Sequence, residues 1–594
     1  MTAVSWIVAV AALAATAYVL GRRVAGWSKL GLSFQDRLER DAVSAALGLA
    51  LLAHLLLLLG LAGLLRPGPV LLLVAAVHIW GFPVWRERIA EIRPRPVWLL
   101  AALALPLFLL PLYPPTGFDA TMYHLPFARS FAESGGMPFL PDLRFPVFPQ
   151  ANEILFAAAM LFGGDVAAQG VQLFAALLTA GLLVVWGRGT WNPAAGWLAA
   201  AVFLGNPVVV HLAGTAYIEP GLALFITAGI FALDRWRLGG GRSWLALAAA
   251  FTATAADVKY LGLFFLGVAG LVAIFAVRSR PVAARCRDAL LFSAVAAAFL
   301  APWYLRIYLH TGNPLFPYLS GLFGSDLWTA PMSPHPGEMS FGQLVRLARL
   351  PWDLVFERQR AGGQPPFSPV YLAALPLLAV GFCRDFRVRF PLLIAGAFGL
   401  VWTRLPPDSR YLLTVLPLAS LAVAGAAAPW IGRSRFFASR RGTALLCLGC
   451  FLPGWLYAGY RVHRQGPPPV TAEGREAYLA RALPVHPALA HLNRTRGRGY
   501  TVWALHAENM VYFADGRFLG DWVGAASFPR VLAASRDAGS FHHKLRRLGV
   551  THLLIPARLV GGGAGATPVP EDAAFRRWFR LVYQDPGARV YELK

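Results

Sequence analysis

Cysteine and negative charge are both scarce in this chain. Its 594 residues hold four cysteines, and 30 Asp and Glu stand against 54 Lys and Arg. Cys286, Cys383, Cys447 and Cys450 fall in apolar runs or in short basic connections between them, so no disulfide framework is expected. Cys447-Leu-Gly-Cys450 has CxxC spacing but lies in apolar sequence without companion ligands, which points to packing rather than metal or redox chemistry. Only 14% of residues are charged and 57% are hydrophobic, which excludes a soluble protein of ordinary composition. No repeat of roughly 20–50 residues is visible, which argues against a solenoid or propeller.

What the chain has instead is a succession of long apolar runs. At about 20 residues per span they give about fourteen helices. These fall near 3–20, 43–65, 69–85, 97–113, 167–187, 194–212, 217–236, 243–257, 259–277, 288–309, 367–383, 390–403, 411–430 and 443–460. The fold class expected is a polytopic α-helical membrane protein with a small C-terminal α/β domain outside the membrane. The net charge of +24 does not call for nucleic acid, because the basic residues cluster between spans, as orientation by the positive-inside rule requires. The first run has no positive charge before it and Arg22-Arg23 after it, the reverse of a cleavable signal, so it is expected to be retained with its N-terminus outside. The Arg clusters then put the segments after 113, after 309, around 404–410 and beyond 460 on the outer face.

Three regions follow. Residues 1–96 are N-terminal spans. Residues 97–462 form a membrane core with outer loops 114–165 and 310–366, and residues 463–594 form the outer domain. Within the first loop, Asn152 to Gly164 reads as an amphipathic helix too short to span. After the stiff Gln465-Gly-Pro-Pro-Pro469 linker, Tyr500–Leu505, Thr551–Pro556 and Arg589–Glu592 read as strands, with helices near 527–548 and 571–580. Gly561-Gly-Gly-Ala-Gly565 lacks phosphate-binding neighbours and reads as a flexible loop.

The informative residue is Asp119, in Thr116-Gly-Phe-Asp-Ala-Thr-Met-Tyr123-His124-Leu-Pro126, just past an apolar run. Ionisable groups at a membrane boundary are functional candidates, although Asp also suits caps and turns. Glu153, Glu219, Lys259, Tyr260, Arg306, Asn313, Arg410 and Tyr411 lie at the same ends of other spans. Carboxylates there can accept a proton, cations can hold an anion, and aromatics can stack on a ring. Each also has a plain structural alternative: Glu219 as a helix cap, Lys259 snorkelling or pairing with Asp257, and Arg410 pairing with Asp408. In the outer domain, Trp503, His506, Glu508 and Asp515 read more simply as core and turn residues than as a site.

The order of these segments resembles the GT-C superfamily of integral membrane glycosyltransferases, in particular bacterial protein O-mannosyltransferases and lipid A aminoarabinose transferases. It runs from the Asp119 loop through Phe148-Pro-Gln-Ala-Asn-Glu153, Gly214-Thr-Ala-Tyr-Ile-Glu219-Pro and Val258-Lys259-Tyr260. It continues with Pro302-Trp-Tyr-Leu-Arg306, Gly312-Asn313-Pro-Leu-Phe-Pro317 and Asp408-Ser-Arg410-Tyr411. The resemblance covers roughly residues 97–430. It implies transfer of a sugar from a polyprenyl-phosphate donor to a glycan, lipid or protein acceptor, with Asp119 acting at the acceptor as a base or through a bound divalent metal. Two departures stand out: Phe118 occupies a position that is often acidic in relatives, and extra spans precede the loop.

Chemically, such transfer needs a carboxylate at the acceptor hydroxyl (Asp119 or Glu153) and cations on the departing phosphate (Lys259, Arg306 or Arg410). Tyr123, His124, Glu219, Tyr260, Asn313 and Tyr411 would line the substrates, and direct displacement would invert the anomeric centre. A multi-span transporter or lipid flippase remains the rival class, and a catalytically idle scaffold or a lipid-linked glycan polymerase also remains open. The Ala-, Arg- and Gly-rich composition suggests a bacterial plasma membrane.

Overall fold

The computed structural model describes residues 5–27, 31–90, 106–275, 281–324, 341–522, 524–559 and 572–594. Most of the expected 97–113 span and the Gly561–Gly565 loop lie outside the described residues. Among those described, Ser5–Ala25, Arg37–Leu61, Ala151–Thr190, Val282–Thr311 and Arg440–Gln465 are each long and apolar enough to cross a membrane. Two bent pairs, Pro67–Trp80 with Phe82–Arg88 and Pro193–Leu204 with Pro207–Ala213, break by 60° and 70° and bring that number to seven. Other expected spans coincide with shorter or more charged helices such as Glu219–Arg237, Arg242–Val258, Gly262–Phe275 and Leu416–Arg433. The chain is thus a multi-pass helical membrane protein, the architecture that satisfies backbone polar groups within each segment.

Small residues set the helix contacts. A Cβ on Gly48 would lie 1.6 Å from the Ala17 carbonyl oxygen, so the first two spans meet at backbone distance. The first span also packs on Ala151–Thr190, where Gly163 and Gly170 face Trp6.

One element differs from the sequence reading. Asn152 to Gly164 is not a surface helix but the first part of the 40-residue Ala151–Thr190 helix, and residues 151–159 are all buried. A helix buried on every side belongs to the interior. Its full length would be about 60 Å if straight, twice the hydrocarbon thickness of about 30 Å. Gly164, at φ 64° and ψ −160°, absorbs the kink between the two parts.

The C-terminal domain carries a five-stranded sheet: β1 (Thr501–Ala504), β2 (Arg517–Gly520), β3 (His552–Pro556), β4 (Phe579–Gln584) and β5 (Ala588–Leu593), in the order β2-β1-β3-β5-β4. β1 pairs in parallel with β2 and β3, while β5 runs antiparallel to β3 and β4. Strand β3 is buried along its whole length, as a central strand between covered faces must be. The expected helix near 527–548 is split into Phe528–Ala533 and Ala538–Arg547, and Asp537 caps the second piece.

Ion pairs fix this domain to the loop that contains Asp119. Arg129 bonds the carbonyls of Tyr512 and Ala514, each at 3.0 Å, and Asp515 at 2.8 Å. Arg475 pairs with Asp165, and Arg517 forks onto Asp142 at 2.7 and 2.9 Å.

Candidate active site

Asp119 sits in the first turn of a helix that continues to Ser134. Pro126 has no N–H to give that helix, and the turn before it widens so that Leu125 N–H reaches the Ala120 carbonyl, five residues back. The widened turn keeps Asp119 and Tyr123 on one side, and the Tyr123 hydroxyl donates to Asp119 Oδ2 at 3.0 Å.

Arg410 is held by different means. Asp408 caps the Ser409–Thr414 turn by accepting Arg410 N–H at 3.0 Å, and its other oxygen lies 2.9 Å from Arg410 Nε. Trp402 Nε1 bonds the Asp408 carbonyl at 2.9 Å, so the cap itself is braced. From there the guanidinium reaches Asp119 Oδ2 at 2.6 Å, with Glu219 Oε1 at 3.9 Å from Nε. Both alternatives for Arg410 therefore meet in one side chain: it pairs with Asp408 and also stands over the loop carboxylate.

Lys259, in extended backbone at the end of Arg242–Val258, donates to Glu219 Oε1 at 2.9 Å. Its expected alternative partner, Asp257, pairs instead with His54 of the N-terminal spans at 3.4 Å. Lys259 Nζ lies 4.5 Å from the Tyr411 ring centroid, and Arg410 lies 5.0 and 5.1 Å over Tyr217 and Tyr411. Two cations and three carboxylates thus share a pocket walled by aromatic faces, which hold cations at little desolvation cost.

His124 extends the cluster toward Glu153, with Nδ1 at 2.5 Å from Oε1, and Glu153 is wholly buried. Burial pushes the Asp119 carboxyl up, but Arg410 above all, then His124 and Lys259, outweigh it and hold the group below its ordinary value. A carboxylate so held is a hydrogen-bond acceptor more than a base.

Three expected site residues do structural work among the contacts seen. Arg306 donates to Gln150 Oε1 and to the carbonyls of Met137 and Pro138, clamping the first loop. Asn313 bonds the Tyr318 carbonyl and the Leu315 N–H, closing a turn. Tyr260 donates to the Phe316 carbonyl at 2.6 Å and so tethers that same turn.

A divalent metal does not fit this donor set. Arg410 already lies against Asp119 and Asp408, Lys259 against Glu219, and no cluster of three metal-ligating side chains occurs among the described residues. Close by, a cavity of about 300 Å³ opens behind Gly117 and is lined by Tyr113, Gln169, Arg358 and Arg461. A larger apolar cavity of about 880 Å³, lined by Leu177, Trp197 and Phe451, shares no residue with the cluster.

Membrane helices that gather ionisable side chains at their ends, joined to a small sheet domain, make up the fold of the GT-C integral membrane glycosyltransferases, and the chain has this fold. It resembles ArnT from Cupriavidus metallidurans in the apo state, with a TM-score of 0.55 and 15% identity over 83% of this chain and 97% of that one. It resembles the same protein bound to undecaprenyl phosphate with a TM-score of 0.54 and 14% identity over the same shares. More particularly, residues 149–312 match the dolichyl-phosphate-mannose-protein mannosyltransferase family. Residues 474–592 match a second family, described as SF2091/S2213. A stretch of 113 residues, 19% of the chain, is 36% identical to Uncharacterized protein SF2093/S2215 of Shigella flexneri, and the chain spans 56% of that relative's length.

The sequence reading missed Trp402 as the brace of Asp408, Trp522 beside Phe118, and Arg144 over the Trp522 ring. The Pro406-Pro407-Asp408 cap was the available signal for the first. The others come together only when the domains dock.

Proposed function

We propose that this protein is a glycosyltransferase that moves a sugar from a polyprenyl-phosphate donor to an acceptor hydroxyl on the outer face of a bacterial plasma membrane, with inversion at the anomeric carbon. The observation that carries this reading is the Arg410 bridge to Asp119, because it places an anion-binding fork against the carboxylate that would serve the acceptor. The fold shared with a protein whose structure holds undecaprenyl phosphate supports the donor class.

The donor phosphate competes for Arg410. As charge grows on the departing phosphate oxygen, Arg410 and Lys259 stabilise it. When Arg410 turns to the phosphate, the carboxylate it leaves becomes more basic. Tyr123 keeps Oδ2, so Oδ1 is the oxygen that receives the acceptor's proton. The bond from the anomeric carbon to the phosphate oxygen breaks with its electron pair, the acceptor oxygen bonds the opposite face, and polyprenyl phosphate leaves. Glu153 and His124 orient the Tyr123 turn.

The test is transfer of labelled sugar from a panel of polyprenyl-phosphate donors into membrane extract, with wild type beside Asp119→Asn and Arg410→Gln. Labelled product that is lost in both variants is expected. Donor lipid bound or moved across vesicles without any transfer would instead identify a transporter or flippase.

A further inference from the structure

The C-terminal domain reaches the Asp119 helix with a specific group of side chains. Its Glu508–Phe513 turn packs on Ala120–His124. Phe118, the residue before Asp119, lies with its ring centroid 6.0 Å from that of Trp522, and both rings remain about two-fifths exposed. The Arg144 guanidinium stands 4.3 Å over the Trp522 ring. Two large aromatic side chains are therefore left partly exposed close to the proposed catalytic carboxylate, Phe118 being the residue before it.

Two carboxylates lie beside this platform, both more than nine-tenths buried. Glu508 Oε1 accepts the Trp522 N–H at 3.2 Å, and Asp521 Oδ2 accepts the His506 N–H at 3.0 Å. The second oxygen of each, Glu508 Oε2 and Asp521 Oδ1, is buried and has no hydrogen-bond partner among the described residues. Gly520 is what lets Glu508 in so closely, since a Cβ there would lie 2.5 Å from Oε1. Buried acceptors without donors are costly and call for an explanation. His506 adds backbone strain: it holds φ 48°, a region a non-glycine residue rarely adopts.

The chemistry selects a ligand. Aromatic faces take the C–H face of a saturated ring, and the Arg144 guanidinium beside Trp522 is a donor group suited to hydroxyl oxygens. Arg144 already supplies positive charge at Trp522, which disfavours a cationic ligand. A neutral ring with many hydroxyls meets all three conditions. We infer that Phe118, Arg144 and Trp522, backed by Glu508 and Asp521, form the acceptor subsite of this protein, and that the acceptor group it takes is a carbohydrate. The inference rests on the glycosyltransferase reading and adds to it the class of acceptor. Phe118 then has a purpose: in the position before Asp119 it extends the platform up to the carboxylate that receives the acceptor hydroxyl.

The full-length protein in detergent tests this by saturation-transfer NMR with methyl hexosides and their disaccharides as probes. Wild type and Asp119→Asn should both saturate the sugar protons. Trp522→Ala should weaken binding about tenfold, the scale of one stacked ring. Trp522→Phe should restore most of it, and Trp430→Ala, at an exposed tryptophan elsewhere, should leave it unchanged. In the transfer assay, Trp522→Ala should raise the acceptor KM about tenfold with the donor KM unmoved. Saturation undiminished by Trp522→Ala, no saturation with any probe, or competition by a peptide or phospholipid in place of sugars would each overturn the acceptor assignment. Lipid-dependent transfer with an unaltered acceptor KM would do so while leaving the glycosyltransferase reading intact. Sugar binding lost in Trp522→Ala without any transfer activity would overturn that reading, and with it the acceptor role.

Discussion

Arg410 Nη2 lies 2.6 Å from Asp119 Oδ2, joining the first loop to the turn before the Leu416–Arg433 helix. Because the guanidinium also serves Asp408 and Glu219, its removal leaves three carboxylates sharing one lysine. Arg410→Gln should therefore destabilise the protein by about 3–5 kcal/mol, the range for breaking a buried pair. Asp119→Asn should cost less, since two anions remain for Arg410, yet should lower transfer by at least about 100-fold if the carboxylate serves the acceptor. Thermal unfolding of both single variants and the double variant in one detergent measures the link. The double variant should be more stable than the sum of the two losses implies, and simple additivity would show that the pair is not coupled.

The same contact governs acid sensitivity. Burial favours the protonated form of Asp119, but Arg410, His124 and Lys259 together hold its carboxyl below the ordinary value. A depressed carboxyl contributes stability above its unfolded value and loses it as the pH falls through the folded one. The acid limb of both stability and transfer should thus lie below about pH 4 in wild type. In Arg410→Gln, burial is less opposed, and the limb should move to higher pH. Melting measured across this range in both proteins would detect it, and coincident limbs would remove Arg410 as the cause.

Gly164 holds the bend of the 40-residue helix at φ 64° and ψ −160°, a combination open essentially to glycine alone. Gly164→Ala should destabilise by about 1–3 kcal/mol. Because Glu153 lies on the part before the bend, straightening that part should also disturb the His124 contact. Unfolding midpoints together with transfer rates would read both effects. Full stability in the alanine variant would mean the bend is set elsewhere.

Much of this arrangement was legible in the sequence, and the reasons for what was not are physical. Asp119, Glu219, Lys259 and Arg410 each mark a span end, and a charge there stands out against apolar sequence. Which charge meets which depends on helix packing. Lys259 has Asp257 two residues away but bonds Glu219, because extended backbone at the helix end turns the lysine to the other side. Asp257 in turn finds His54, on a helix of the N-terminal region whose purpose the sequence left open. Gly163-Gly164 reads as a helix end, yet the positive φ of Gly164 continues the helix at an angle. Arg306 and Asn313 have the residue types of a phosphate or sugar site, but their hydrogen bonds go to loop carbonyls. Trp522 carried no signal at all, since only docking of the C-terminal domain sets it beside Phe118.

Glu508 provides a test of the C-terminal domain that is independent of catalysis. Burial pushes its carboxyl up to about 7, and the lowering influence of Arg144 is too small to offset this. Its unfolded value is ordinary, about 4.3. Between those two values the folded domain holds a proton that the unfolded chain has released, so the stability Glu508 contributes is fully present at acid pH and is lost as the pH rises through about 7. The slope is at most about 1.4 kcal/mol per pH unit from this group. Glu508→Gln removes the titration while keeping an acceptor for the Trp522 N–H, so its slope over that window should be flatter than that of wild type. Hydrogen exchange of the β1 and β2 amides in the full-length protein, corrected for intrinsic exchange at each pH, measures the local opening free energy. Equal slopes in the two proteins would mean that Glu508 is ionised in the folded domain, with a donor for its second oxygen already in place.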